Sequence, residues 1–216
     1  MRYDAVLFDF DYTLGDATVS IYDGFCFGFA QMGYPKPELE AVRATVGHIL
    51  QDEFTMLTGN DDPEDRETFR RIFREHTVPT QPEKTKMCPG AEALLRALKA
   101  AGVKVGIVTS KNKTTLESIL AYKGLLELMD FTIGGNLVSC PKPDPEGLNR
   151  AVETLGVEKS DTLFCGDTVI DAGTARNAGV DFAAVLNGTT RAEAFADFPH
   201  VFIAEDLPAL QAYLDL

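Results

Sequence analysis

Beyond residue 88 the chain repeats one unit: a short apolar run rich in β-branched residues, then a stretch with apolar positions three and four apart. "PGAEALLRALKAAG" reads as a helix closed by Gly102, and "VKVGIVTS" as the strand after it. The cycle continues through helix "KTTLESILAYKG", strand "DFTIGG", helix "DPEGLNRAVETLG", strand "DTLFCGD", helix "DAGTARNAG", strand "DFAAVLNG", helix "RAEAFADF", strand "HVFIA" and helix "DLPALQAYL". Strands joined by helix-length crossovers run parallel, and a parallel sheet is covered by helices on both faces. With the apolar stretch entering "VLFDFDYTLGD" as a further buried strand, the expected fold class is α/β, a Rossmann-like parallel sheet.

Residues 16 to 84 break this rhythm. "SIYDGFCFGFAQMG", "ELEAVRATVGHILQDEFTMLTG" and "PEDRETFRRIFREH" show helical spacing with no strand between them, and Phe69, Ile72, Phe73 and His76 would share one helix face. The expected organisation is an all-α segment, residues 16–84, inserted into an α/β core made of residues 1–15 and 85–216. The chain would leave the insertion through the Pro-containing "VPTQPEKTKMCPG", and two crossings between domains make a hinge. A chain of 216 residues with 45% hydrophobic content can build a core and carry an insertion.

Ligands of such sheets bind beyond the carboxyl ends of the strands, so what each strand ends on matters. The first ends in Asp9, Asp11 and Asp16; "VTSK" brings Thr109 and Ser110; "PKPDP" brings Lys142; "GDTVID" brings Asp167 and Asp171. Each has an ordinary reading alone: Asp and Gly form turns, Ser and Thr cap helices, and a lysine between prolines is usually solvated. Together they put acids, hydroxyls and a cation on one rim. If Asp9, Asp167 and Asp171 cluster, two unit charges ~4 Å apart repel by about 4 kcal/mol at an effective dielectric near 20. A hard divalent cation with oxygen ligands answers that cost, and Mg²⁺ suits it because it binds phosphate together with one or two carboxylates. Thr109, Ser110 and Lys142 could then hold the oxygens of a phosphoryl group.

In order along the chain these motifs resemble those of the haloacid dehalogenase-like superfamily of aspartate-nucleophile phosphatases. "DFDYTL" looks like its DxDx(T/V) signature, "IVTS" its second motif with Thr109 as the hydroxyl, "KP" at Lys142 its third and "GDTVID" its fourth. The likeness covers nearly the whole core, and the helical insertion resembles the cap that many members carry after the first motif, so the fold implied is a haloacid dehalogenase-like core with an inserted helical cap. The resemblance implies that Asp9 attacks phosphorus to form an aspartyl-phosphate, and that Asp11 protonates the leaving oxygen and then deprotonates water. It implies metal binding by Asp9, the backbone carbonyl of Asp11, and Asp167. Asp171 would stand behind these ligands or hydrogen-bond Lys142, while Thr109 and Lys142 clamp the phosphoryl group. Dehalogenating relatives lack an aspartate at the position of Asp11, so phosphate-ester chemistry is expected. Glycine is common in the family where Tyr12 stands; Tyr12 is expected either to pack at the cap hinge or to contact substrate.

Leaving-group specificity is expected in the cap. "TVGHILQDEF" looks like the segment that phosphoglycolate phosphatase-like members place over the site, which makes His48 and Arg43 candidate substrate contacts. Arg66, Arg70, Arg71 and Arg74 alternate with acids and read as a solvated face. The expected activity is Mg²⁺-dependent hydrolysis of a small phosphorylated metabolite, phosphoglycolate first. The alternatives are a sugar phosphomutase, a pyrophosphatase or nucleotidase of the same superfamily, and, outside enzymes, a phospho-receiver signalling domain. Receivers, however, usually carry their aspartate on a later strand and have no long helical insertion.

A formal net charge of -13 argues against general binding to nucleic acid or anionic lipid. No apolar run approaches the ~20 residues that span a bilayer. Cys26, Cys88, Cys140 and Cys165 lie far apart without a CxxC pair, as free thiols in a reducing compartment would. "MRYD" leads at once into the first strand, with no signal peptide expected. A cytoplasmic monomer or homodimer is the expectation.

Overall fold

The computed structural model describes residues 2–216. Strands β1 (Ala5–Phe8), β4 (Lys104–Thr109), β5 (Phe131–Gly134), β6 (Thr162–Gly166), β7 (Asp181–Val185) and β8 (Phe202–Ala204) form one sheet in the order β5-β4-β1-β6-β7-β8. Every pairing in it is parallel. Between them run helices α6 (Ala91–Ala100), α7 (Lys113–Tyr122), α8 (Glu146–Leu155) and α9 (Val169–Ala178), with α10 (Leu207–Tyr213) at the end. Side chains of a strand alternate between faces, so β1 feeds two cores. Val6 and Phe8 pack with Leu94, Leu98 and Leu116 on one side, whereas Leu7 packs with Leu148 and Ala172 on the other. "RAEAFADF" forms only a short 3₁₀ turn, Ala192–Phe195, because Pro199 and the next strand follow too closely for a full helix.

The chain grows outward from β1 through β4 to β5, then returns to the other side of β1 as β6. Strand order therefore reverses between β1 and β6, and a crevice opens there at the carboxyl ends. Phe8 is in register with Cys165, and the Asp9 amide donates to the Cys165 carbonyl at 2.8 Å. This carries the ladder one residue beyond β1 and anchors Asp9 at the lip of the crevice.

The segment after β1 is helical: α1 (Thr18–Met32), α2 (Leu39–Thr45), α3 (Leu50–Thr58), α4 (Pro63–Thr77) and α5 (Gln81–Lys84). Phe25, Phe29, Phe54, Phe69 and Phe73 interlock as its own core, with rings 4.9–6.1 Å apart where they meet. The stretch "ELEAVRATVGHILQDEFTMLTG", which shows helical spacing, is split into α2 and α3 at Gly47, which takes φ 116° outside any helical region. The break turns the Gly47 carbonyl toward the sheet, where the Ser110 hydroxyl donates to it at 2.7 Å. Two short strands, β2 (Gly15–Asp16) and β3 (Lys86–Met87), pair antiparallel, so the outgoing and returning chain crossings are tied together. Two-residue strands have no periodicity, and the sequence shows no sign of this ribbon. Asp16 sits in it and accepts from the Thr18 amide at the start of α1, 2.8 Å. Among the described residues no helix is long and apolar enough to cross a membrane, and all four cysteines are unpaired.

Candidate active site

Asp9 follows β1, Asp167 follows β6, and Asp171 lies in the first turn of α9. All three are buried, and each offers a carboxylate oxygen within 4.8 Å of the others. Asp171 is oriented locally: Thr168 caps α9, and its amide and hydroxyl both donate to Asp171 Oδ2, at 3.1 and 2.6 Å. Lys142, with 6% of its side chain exposed, donates to Asp9 Oδ1 at 2.7 Å and to Asp171 Oδ1 at 2.6 Å. The Thr13 hydroxyl donates to Asp167 Oδ1 at 3.1 Å.

One ammonium among three buried carboxylates leaves an excess of negative charge, and the proton affinities follow. Burial, reinforced by Asp171 and only partly opposed by Lys142, raises the Asp9 carboxyl to about 6. Burial and then the Asp171 and Asp9 charges hold Asp167 well above the usual carboxylate range. Burial acts to lower Lys142, but the Asp171 and Asp9 charges outweigh it, so the ammonium is held more firmly than in water. A hard divalent cation fits this donor set: oxygen ligands, uncompensated charge, and a buried Asp11 Oδ1 that has no partner. Gly188 closes the site from behind, since a Cβ there would lie 2.0 Å from Asp167 Oδ2. No feature of the sequence around Gly188 distinguishes it from an ordinary turn glycine.

Asp11 and Lys111 form a nearly buried ion pair, Oδ2 to Nζ 2.9 Å. Lys111 was not among the sequence candidates, although it directly follows Thr109 and Ser110 in "VTSK". Thr109 ends β4, and its hydroxyl oxygen accepts from the Lys111 amide at 3.3 Å. A cavity of about 390 Å³ opens between this rim and the helical segment, and Asp9, Asp11, Thr109, Ser110 and Lys111 line it from the sheet side. From the helical side come His48 and its neighbours in the loop between α2 and α3.

Tyr12 and Arg43 do not line that cavity. Tyr12 takes φ 59°, in the left-handed region that favours glycine, which accounts for the glycine common in the resembling family. Such a conformation costs about 1–3 kcal/mol. Burying the ring among the helices offsets it: Tyr12 packs with Ala17, Ile21 and Val46, and its hydroxyl lies 2.7 Å from Thr18 Oγ1. Arg43 stands over this ring, 5.8 Å from its centre, and pairs with Glu40. His48 does line the cavity, with Nδ1 held 2.9 Å from the Thr45 carbonyl. The arginines of α4 are not one solvated face: Arg66 pairs with Asp52 and Arg71 with Glu75, but Arg70 and Arg74 line the cavity. Glu53 of α3 lines it too and is buried, a further residue that the sequence reading passed over.

The haloacid dehalogenase-like hydrolase family matches residues 6–185. A phosphoglycolate phosphatase of Rhodospirillum rubrum is 30% identical over 97% of this chain and 90% of its own length. One from Cereibacter sphaeroides is 31% identical, covering 90% of both chains. The solved structure of a haloacid dehalogenase-like hydrolase from Bacteroides fragilis superposes with a TM-score of 0.94 at 34% identity, over 97% of this chain and all of the other. The chain therefore belongs to the haloacid dehalogenase-like hydrolases, as a phosphatase.

Proposed function

We propose that the protein is a Mg²⁺-dependent phosphatase that hydrolyses a small phosphate monoester through an aspartyl-phosphate on Asp9. The observation that carries this is the placement of Asp9 at the crevice, with Lys142 at 2.7 Å and Asp11 opening on the same cavity. An Asp9 oxygen attacks phosphorus and the ester P–O bond breaks. Asp11 gives its proton to the departing oxygen, then takes one from the water that attacks the phosphorus. Inorganic phosphate leaves and the Asp9 carboxylate is restored. Lys142 and the Thr109 and Ser110 groups hold the phosphoryl oxygens. Asp9, Asp167 and the Asp11 backbone carbonyl would hold magnesium, whose positive charge lets a carboxylate approach a phosphate dianion. The helices of residues 16–84 act as the cap, excluding water and reading the leaving group. We place the enzyme in the reducing cytoplasm, on the strength of its unpaired cysteines.

The relatives named for phosphoglycolate make that ester the first to assay. The test is phosphate release from a panel of phosphorylated metabolites and p-nitrophenyl phosphate, with Mg²⁺ or EDTA, using Asp9→Asn as the blank. Turnover above the blank that EDTA abolishes is expected. Release of isomer without free phosphate would mark a mutase instead, and silence across the panel would end the reading.

Metal binding has its own signature. Without metal, the raised Asp9 and Asp167 carboxyls bind protons more tightly folded than unfolded. They therefore favour the fold in acid; the Asp9 contribution is full below about pH 4 and is lost as pH climbs through about 6. Mg²⁺ takes the place of those protons. At a hundredfold excess over its Kd it is expected to raise the melting temperature at pH 7.5 by roughly 5–10 °C, and by clearly less at pH 5. An equal shift at both pH values would contradict the assignment of these ligands.

A further inference from the structure

Glu53 is 6% exposed, lines the same cavity as Asp11 and Lys111, and makes neither an ion pair nor a side-chain hydrogen bond among the described residues. Its carboxyl opens on the cavity with no protein partner, so a ligand that enters can supply one. Beyond burial itself, the charges that act on it most are those of Asp11 and then Lys111, which places it toward the reacting end of the cavity. Of the cations lining the cavity Arg74 alone has no ion pair among the described residues, but its charge is not among those that act most on Glu53. Lys111 is held by Asp11, Lys142 by Asp9 and Asp171, and Arg70 by Glu67.

We infer that Glu53 is the specificity-determining residue of the cap, and that its carboxyl receives a hydrogen-bond donor, a hydroxyl or an ammonium, on the substrate's leaving group in preference to a carboxylate. This rests on the phosphatase reading and narrows it. A carboxylate beside the ester, as in phosphoglycolate, would set acceptor oxygens against those of Glu53, at a cavity end where Lys111 and Lys142 are already held by Asp11 and Asp9. A donor instead completes the one acid that lacks a partner. Sites built around a buried polar group discriminate strongly against ligands that leave it unpaired.

Four esters on one two-carbon scaffold isolate the effect: 2-hydroxyethyl phosphate, phosphoethanolamine, ethyl phosphate and 2-phosphoglycolate. Their kcat/KM values with Mg²⁺ are compared for the wild type, Glu53→Gln and Glu53→Ala, with thermal melts to show that the variants fold. The wild type is expected to favour one of the two donor esters over phosphoglycolate by roughly 10- to 100-fold. Glu53→Gln, which keeps the shape and replaces one acceptor oxygen by a donor, should bring that ratio within about threefold of unity, and Glu53→Ala should lose the preference for the donor ester over ethyl phosphate. A wild type that prefers phosphoglycolate, with Arg74→Ala removing the preference, would transfer the discrimination to Arg74 and overturn the inference. So would a ratio unchanged in both Glu53 variants, or activity on p-nitrophenyl phosphate with none on the four esters. Absence of turnover on all five compounds would overturn the phosphatase reading itself.

Discussion

Asp9→Asn is expected to lower phosphate release by about 10⁴-fold or more under saturating Mg²⁺, while the fold stays intact. An amide oxygen is a far weaker nucleophile than a carboxylate, and no neighbouring acid can replace it. Asp167 and Asp171 start from the other side of the crevice, on β6 and α9, and Asp171 is already bound by Thr168 and Lys142. Stability should move the other way. Burial already works against the charged form of Asp9, so a neutral amide relieves the crowding with Asp167 and Asp171 and can still accept from Lys142. The metal-free variant is therefore expected to melt no lower than the wild type at pH 7.5. Phosphate release and a thermal melt on one preparation check both halves, and retained turnover would remove Asp9 as the nucleophile.

Lys142→Ala should be the most destabilising single change in the site. It strips the shared cation from Asp9 and Asp171 and leaves three buried carboxylates with no counter-charge. Breaking a buried ion pair from one side costs about 3–5 kcal/mol, or roughly 6–20 °C in melting temperature for a chain of this size. The loss should be largest in metal-free buffer above about pH 6, where Asp9 is ionised, and smaller near pH 5, where Asp9 takes up a proton instead. Activity should fall with it, because the same ammonium is proposed to hold the phosphoryl oxygens. Melting curves of Lys142→Ala and Lys142→Met at the two pH values, with and without Mg²⁺, test this. A pH-independent loss would mean that lost packing outweighs the charge.

Much of this architecture is legible along the chain because periodicity is a local property. "VKVGIVTS" and "PGAEALLRALKAAG" announce a strand and a helix by spacing alone, and β4 and α6 lie within those stretches. The acids, hydroxyls and lysine at the rim are legible for a related reason: strands that all run parallel deliver their ends to one edge, so residues far apart in sequence can be assigned to one place. The break at Gly47 was less visible, since apolar spacing continues across it, and only the structure shows the glycine's φ of 116° and its carbonyl held by Ser110. Tyr12 was ambiguous because its ring could have turned to the cavity or to the cap; the packing with Ile21 and Val46 chose the cap.

Fold class, the helical insertion and the set of chemically able groups were determined by the sequence, through short-range spacing and the register of strand ends. Tertiary structure alone decided which charges are paired. Lys111 lies against Asp11, Lys142 bridges Asp9 and Asp171, Arg70 and Arg74 line the cavity, and Glu53 is buried there without a partner. Pairing depends on distances of a few ångströms between segments from opposite ends of the chain, and on how far each group is withdrawn from water. Neither is encoded in local pattern.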